Sequence, residues 1–138
     1  MTVKPVAVVA YALAFCLAIP ASAEPRSGAD KIAAACRASD AACFERALTT
    51  TDASLAETRK KARATIEGGA LTGDDLKKTL EHFDASETAW TASRKAQCEA
   101  YELYAKAIGD DGAQARWRCL VNEAVRRQSV LRELFSSE

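Results

Sequence analysis

Few residues in this chain have the types and spacing that chemistry needs, and they are scattered. The one histidine, His82, stands between Glu81 and Phe83, with Asp84 close by. A general acid or base must be held beside the proton it moves, and a lone histidine among charged neighbours reads as ordinary surface. Ser54, Ser86 and Ser93 have no histidine at a suitable height on a neighbouring stripe, so none reads as an activated nucleophile. The carboxylate pairs Asp74–Asp75 and Asp110–Asp111 fall at expected helix starts and turns. There acidic groups favour exposed backbone N–H groups, which is reason enough for them. No glycine-rich phosphate loop is present. The residues imply no catalytic site, no cofactor and no enzyme.

Cysteine is the more informative type. The chain has 5 cysteines, at positions 16, 36, 43, 98 and 119. Cys16 lies in an opening stretch with Lys4, an apolar run over residues 6–19, Pro20 and then Ala21-Ser22-Ala23. That is the pattern of a secretory signal cleaved after Ala23. The apolar run is shorter than the roughly 20 residues of a membrane-spanning helix, and bulky Phe15 before Cys16 disfavours lipid attachment. The expected organisation is a signal peptide over residues 1–23 and a single helical domain over 24–138, in the periplasm or secreted. Export leaves Cys36, Cys43, Cys98 and Cys119, which read as two disulfides in an oxidising compartment. Zinc fits poorly, because there is no Cys-x-x-Cys and only one histidine.

Charge narrows the partners. The whole chain has 19 Lys plus Arg against 19 Asp plus Glu, and the leader carries one of the cations. A nearly neutral exported chain lacks the basic footprint of a nucleic-acid binder. It also lacks the bulk charge to hold an acidic membrane, and after cleavage no stable membrane insertion is expected.

The elements that position these residues are helices. Residues 31–38 read as a short N-terminal helix. Ser39 or Asp40 can cap a second one running to about Ile66, with Cys43, Phe44, Ala47, Leu48, Thr51, Leu55, Ala62 and Ile66 on its apolar side. The threonines at 49–51 weaken it and mark a place for a kink or a boundary. Gly68 and Gly69 suit its end, and Thr72 with Asp75 resembles a capping box. A long helix over residues 74–108 follows. Its stripe is Leu76, Leu80, Phe83, Glu87, Trp90, Arg94, Cys98, Tyr101 and Tyr104 or Ala105. The last helix spans residues 113–135, with Trp117, Leu120, Val121, Ala124, Leu131 and Leu134 on one side. The fold class is all-α: a small disulfide-stapled bundle of three main antiparallel helices with a short N-terminal helix.

Heights along the helices bear on cysteine pairing. At 1.5 Å per residue, Cys98 and Cys119 lie roughly 16 and 10 Å from the turn between the last two helices. A bridge across that hairpin is therefore feasible, and it would contribute on the order of 3 kcal/mol by loop entropy. Cys36 and Cys43 would be about 10 Å apart in one unbroken helix, too far to bond. A break at Ser39-Asp40 would bring them together. Of the three connectivities, 36–43 with 98–119 is favoured, and the other two remain open.

Trp90, Arg94 and Cys98 form a slanting row on the apolar side of the long helix. The tryptophan reads as core and the cysteine as the hairpin anchor. An unpaired guanidinium is costly to bury, so Arg94 needs an acidic partner. Asp52 and Glu87 are the inward candidates, and an Asp52–Arg94 bridge between the first two main helices is expected. Its effect would be to align helices more than to stabilise them.

The stretch FDASETAWTASRKAQCEA resembles the Trp-x-x-x-Arg-x-x-x-Cys segment of the lysozyme-inhibitor LprI-like N-terminal domain family. Trp90, Arg94, Cys98, Cys119, Arg127 and Leu131 match that pattern, and Asp52, Leu55 and Cys43 resemble its upstream element. The family's glutamine before the tryptophan is replaced near Ser86-Glu87, and its asparagine and tyrosine after Leu55 are Ala56 and Arg59 here. The resemblance implies a small exported helical domain of the bacterial envelope, one branch of which inhibits lysozyme. The expected function is a non-enzymatic periplasmic protein-binding module with lysozyme as a candidate partner. The alternative is an envelope structural or regulatory domain with another protein partner. The basic run at residues 59–63 reads as a solvated helix face, with anionic envelope material as its sharper use. An apolar strip around Tyr101 and Tyr104 is expected to stay exposed, and oligomeric state is open.

Overall fold

The computed structural model describes Lys31, Ala35, Cys36 and residues 40–135. The leader and most of the expected short N-terminal helix lie outside the described residues. Three helices form an antiparallel bundle: α1 (Ala41–Glu67), α2 (Gly73–Ala107) and α3 (Gly112–Phe135). No strand occurs among the described residues.

Each boundary has a local cause. Asp40 caps α1 by accepting a hydrogen bond from the Cys43 backbone N–H at 2.9 Å. The threonine run does not break α1. The hydroxyls of Thr49, Thr50 and Thr51 each donate to the carbonyl one turn back at 2.9 Å, so their polar groups are satisfied within the helix. Gly68 closes α1 with φ −87° and an N–H bond to Ala64. Thr72 occupies the cap position of α2, but its side chain makes no capping bond, so the expected capping box does not form. Asp74 and Asp75 in the first turn instead complement the helix dipole.

The α2–α3 turn is the tightest piece. Gly109 takes φ +86°, its N–H bonds Lys106 O, and the Asp110 N–H bonds Ala105 O. This is a Schellman end, which requires a left-handed residue after the helix. Asp111 then caps α3 by accepting from the Gln114 N–H at 3.1 Å. Gly112 presses so closely on α2 that a Cβ there would lie 2.8 Å from the Glu102 carbonyl oxygen.

The third helix packs along both others, whereas α1 and α2 meet over a shorter stretch. Near the α2–α3 turn the core holds Cys36, Phe44, Trp117 and Val121, with Cys43, Ala47, Leu48 and Val125 around them. The rings of Phe44 and Trp117 lie 4.5 Å apart, and the indole N–H donates to the Phe44 carbonyl. Toward the other end, Leu55, Ala62, Ala124 and Leu131 pack with Phe83, Trp90 and Phe135. Both disulfides follow the favoured connectivity. Cys36–Cys43 has a Cα separation of 5.7 Å and fastens the entry of α1, while Cys98–Cys119, at 5.5 Å, ties α2 to α3.

Three expectations need correction. Tyr101 leaves the inward stripe and Ala105 takes the place offered to Tyr104 or Ala105, so the strip around both tyrosines is exposed as expected. Glu102 and Lys106 at the end of α2 lie against Gly112 of α3 and leave no room for a side chain at residue 112. Leu134 is 67% exposed, and the inward row of α3 ends with Leu131 and Phe135. Trp90 is only half-buried, because its ring lies under arginines as well as against leucines.

Candidate functional site

Positions 87, 90, 94 and 98 climb α2 in steps of three and four, so they share the face that looks across the bundle. Glu87 is buried at 8% exposure and is the centre of a polar cluster. Arg59 of α1 donates from Nε to Glu87 Oε2 at 2.5 Å and from Nη2 to Thr91 Oγ1 at 3.1 Å. Arg127 of α3 donates from Nε to Glu87 Oε1 at 2.8 Å, and from Nη2 to the same oxygen and to Ser86. One carboxylate thus joins all three helices, with a guanidinium on each oxygen.

About two turns further along α2, Arg94 makes a second junction. Its Nη2 donates to Asp52 Oδ1 of α1 at 2.8 Å. Its Nε and Nη2 also reach the Leu120 carbonyl of α3, at 3.0 and 2.6 Å. The guanidinium carbons of Arg59, Arg94 and Arg127 lie 5.1, 5.5 and 5.9 Å from the centre of the Trp90 ring. An indole face attracts cations, so the ring helps to hold three like charges close together. Leu55 and Leu131 are buried in the adjoining cluster.

Asp52, Leu55, Trp90, Arg94, Arg127 and Leu131 therefore gather at the middle of the bundle, with the Cys98–Cys119 bridge beyond Arg94. Glu87 does not serve Arg94, as one alternative had it. It takes Arg59 and Arg127. Sequence reasoning missed that clamp, although a signal was present: Arg59 follows inward Leu55 by four, and Arg127 precedes inward Leu131 by four. The basic run at 59–63 is only partly a solvated face, because Arg63 also pairs with Asp84 of α2 at 2.5 Å and with Glu67 at 3.1 Å. Gln128 was missed as well. It is 8% exposed, and its amide donates to the Thr51 carbonyl at 3.2 Å.

The groups suited to chemistry are not brought together. His82 is exposed on α2. The four thiols are spent in disulfides. Among the described residues no group of three or more His, Cys, Asp or Glu side chains is placed to hold a metal ion, and no helix is long and apolar enough to cross a membrane.

A second region differs in kind. Along α2 and α3 near their turn runs an open groove of about 920 Å³, with Gln97, Tyr101, Tyr104, Asp110, Gln114 and Arg118 among its lining. Tyr101 and Tyr104 are 49% and 59% exposed, with near-parallel rings 6.5 Å apart. Leu103 and Ile108 nearby are 68% and 57% exposed. Glu102 at the edge is held more acidic than an ordinary carboxylate, chiefly by the hydrogen bond from Lys106, with Arg116 adding to it.

No curated protein and no solved structure matches the chain. Residues 30–131 match the family described as Lysozyme inhibitor LprI. That span takes in both disulfides and the whole Trp90 junction, and the chain belongs to the Lysozyme inhibitor LprI family.

Proposed function

We propose that this chain is a non-enzymatic, extracytoplasmic protein-binding module whose target is a lysozyme. Family membership over residues 30–131 carries the reading. Two disulfides favour an oxidising compartment outside the cytoplasm, reached by cleavage of the leader after Ala23 to leave residues 24–138. The arginines and carboxylates of the bundle centre are engaged with one another, which suits a scaffold that presents a surface rather than one that turns over a substrate.

The test is inhibition of purified muramidases. The full chain, expressed with its own leader and recovered with its disulfides intact, should slow cell-wall lysis by at least one c-type, g-type or bacteriophage enzyme at micromolar concentration. No effect on any of them would remove the lysozyme target.

One observation favours a second reading, an envelope structural or regulatory domain with a different protein partner. The residues that carry the family resemblance are turned into the bundle, so they specify a fold and leave the target undetermined. Capture of one envelope protein other than a muramidase, by a chain that inhibits no muramidase, would establish that reading.

A further inference from the structure

We infer that the target-binding face is the α2–α3 groove, with Tyr101, Tyr104 and Arg118 as its anchors, and that it fits a glycosidase whose cleft presents paired carboxylates. This rests on the lysozyme reading above and names the surface that would perform it.

Most of the arginines are already engaged within the bundle. Arg59, Arg63, Arg94, Arg116, Arg126 and Arg127 all hold carboxylates of this chain. Arg118 is exposed and makes no hydrogen bond or ion pair among the described residues. It lines the same groove as two exposed tyrosines. Tyrosine and arginine are enriched among the few residues that carry most of the free energy of an interface. Of the large side chains left exposed, Tyr101 and Tyr104 stand three residues apart on α2 and both line the groove. Such concentration is characteristic of an interaction surface rather than of scattered surface residues.

Backbone rigidity supports the same face. The groove is bounded by two helices joined through Cys98–Cys119 and closed by the Gly109 turn. Ordering it on binding therefore costs little.

Charge selects the occupant. Glycosidases of the muramidase type work with two carboxyl groups flanking the scissile bond. A free guanidinium can meet a carboxylate with two parallel hydrogen bonds, and the tyrosine rings lining the same groove offer aromatic contact area beside it. Asp110, Asp111 and Glu123, which line the same groove, supply opposite charge for a basic surface around such a cleft. Arg46 is the internal control. It is equally exposed and unpaired, but it lines a shallow depression with Glu45 and two threonines and has no aromatic neighbour there.

The experiment compares the full, disulfide-intact chain with Arg118→Gln, Tyr104→Ala and Arg46→Gln, against a muramidase that the unaltered chain inhibits, with thermal melting of each variant as a check of folding. Arg118→Gln and Tyr104→Ala should weaken inhibition by roughly 30-fold or more without shifting the melt, and Arg46→Gln should change it less than about twofold. Inhibition unchanged in both groove variants would overturn the assignment of this face while the lysozyme reading stood. An unaltered chain that inhibits no muramidase would overturn both.

Discussion

The bundle centre and the α2–α3 groove are built from similar side chains and put them to opposite uses. Around Trp90, three arginines, one buried glutamate and one exposed aspartate hold one another in ion pairs across the helices. Around Tyr101 and Tyr104 the aromatic rings are exposed, and Arg118 makes no ion pair among the described residues although Asp110, Asp111 and Glu123 line the same groove. Aromatic and arginine residues at helical spacing thus lock helices in one place and wait at the surface in another. Burial and pairing separate the two, and composition does not.

The Trp-x-x-x-Arg motif residues fall in the first region, while binding is assigned to the second. A family signature can therefore report how a scaffold is held together and say little about what it holds. The Asp52–Arg94 bridge and the Glu87 clamp act across three helices, so substitutions there should be read out as stability. Substitutions in the groove should be read out as affinity.

The largest effect expected is on the staple behind both regions. Replacing Cys98 and Cys119 together by alanine should cost about 3 kcal/mol from the lost loop constraint, measured by denaturant unfolding. A loss below about 1 kcal/mol would show that α2 and α3 hold their hairpin unaided. Glu87→Ala comes next. It leaves Arg59 and Arg127 facing each other without their carboxylate, and about 2–3 kcal/mol should be lost, moderated by the partial exposure of both arginines. Stability unchanged within error would mean that water replaces the clamp.

A smaller effect comes from pH. The carboxyl group of Glu102 is held more acidic than usual by Lys106 and then Arg116, so the folded state is favoured wherever it is ionised. That contribution is present above the ordinary carboxylate range and is lost as pH falls through the lowered folded-state value. Comparing Glu102→Gln with the unaltered chain between neutral and acidic pH should show their stabilities converging as the pH drops. A constant gap would reject the Lys106 linkage. The smallest effect on stability is expected at Tyr104→Ala, within about 0.5 kcal/mol, because that ring packs on little but Tyr101. A loss above about 1.5 kcal/mol would turn Tyr104 into a scaffold residue and blur the distinction between the two regions.

Much of the scaffold was legible before any coordinates. Helix ends near Ile66, Gly73 and Gly112 follow from glycine and aspartate chemistry. Cysteine heights favoured the pairing, and a charge on each apolar stripe pointed to Asp52 with Arg94. What escaped required knowing how three helices are rotated about their axes. Glu87 was visible as an inward charge, but its partners lie on two other helices, and either α1 or α3 turned by one residue would have sent Arg59 or Arg127 to solvent. Tyr101 and Tyr104 continue the α2 stripe in sequence. The strip around them is exposed as the sequence suggested, while Ala105 takes the inward place. Arg118 carries no local signal at all, since its lack of a partner is a property of everything around it.

The central claim is that the Trp90 junction makes the fold and the groove makes the contact. Arg94→Ala tests it most directly when unfolding free energy and target inhibition are measured on the same preparation. A loss of about 2–3 kcal/mol is predicted from the missing bonds to Asp52 and to the Leu120 carbonyl, with inhibition per folded molecule unchanged. Full stability accompanied by lost inhibition would contradict the account and move the binding surface to the bundle centre.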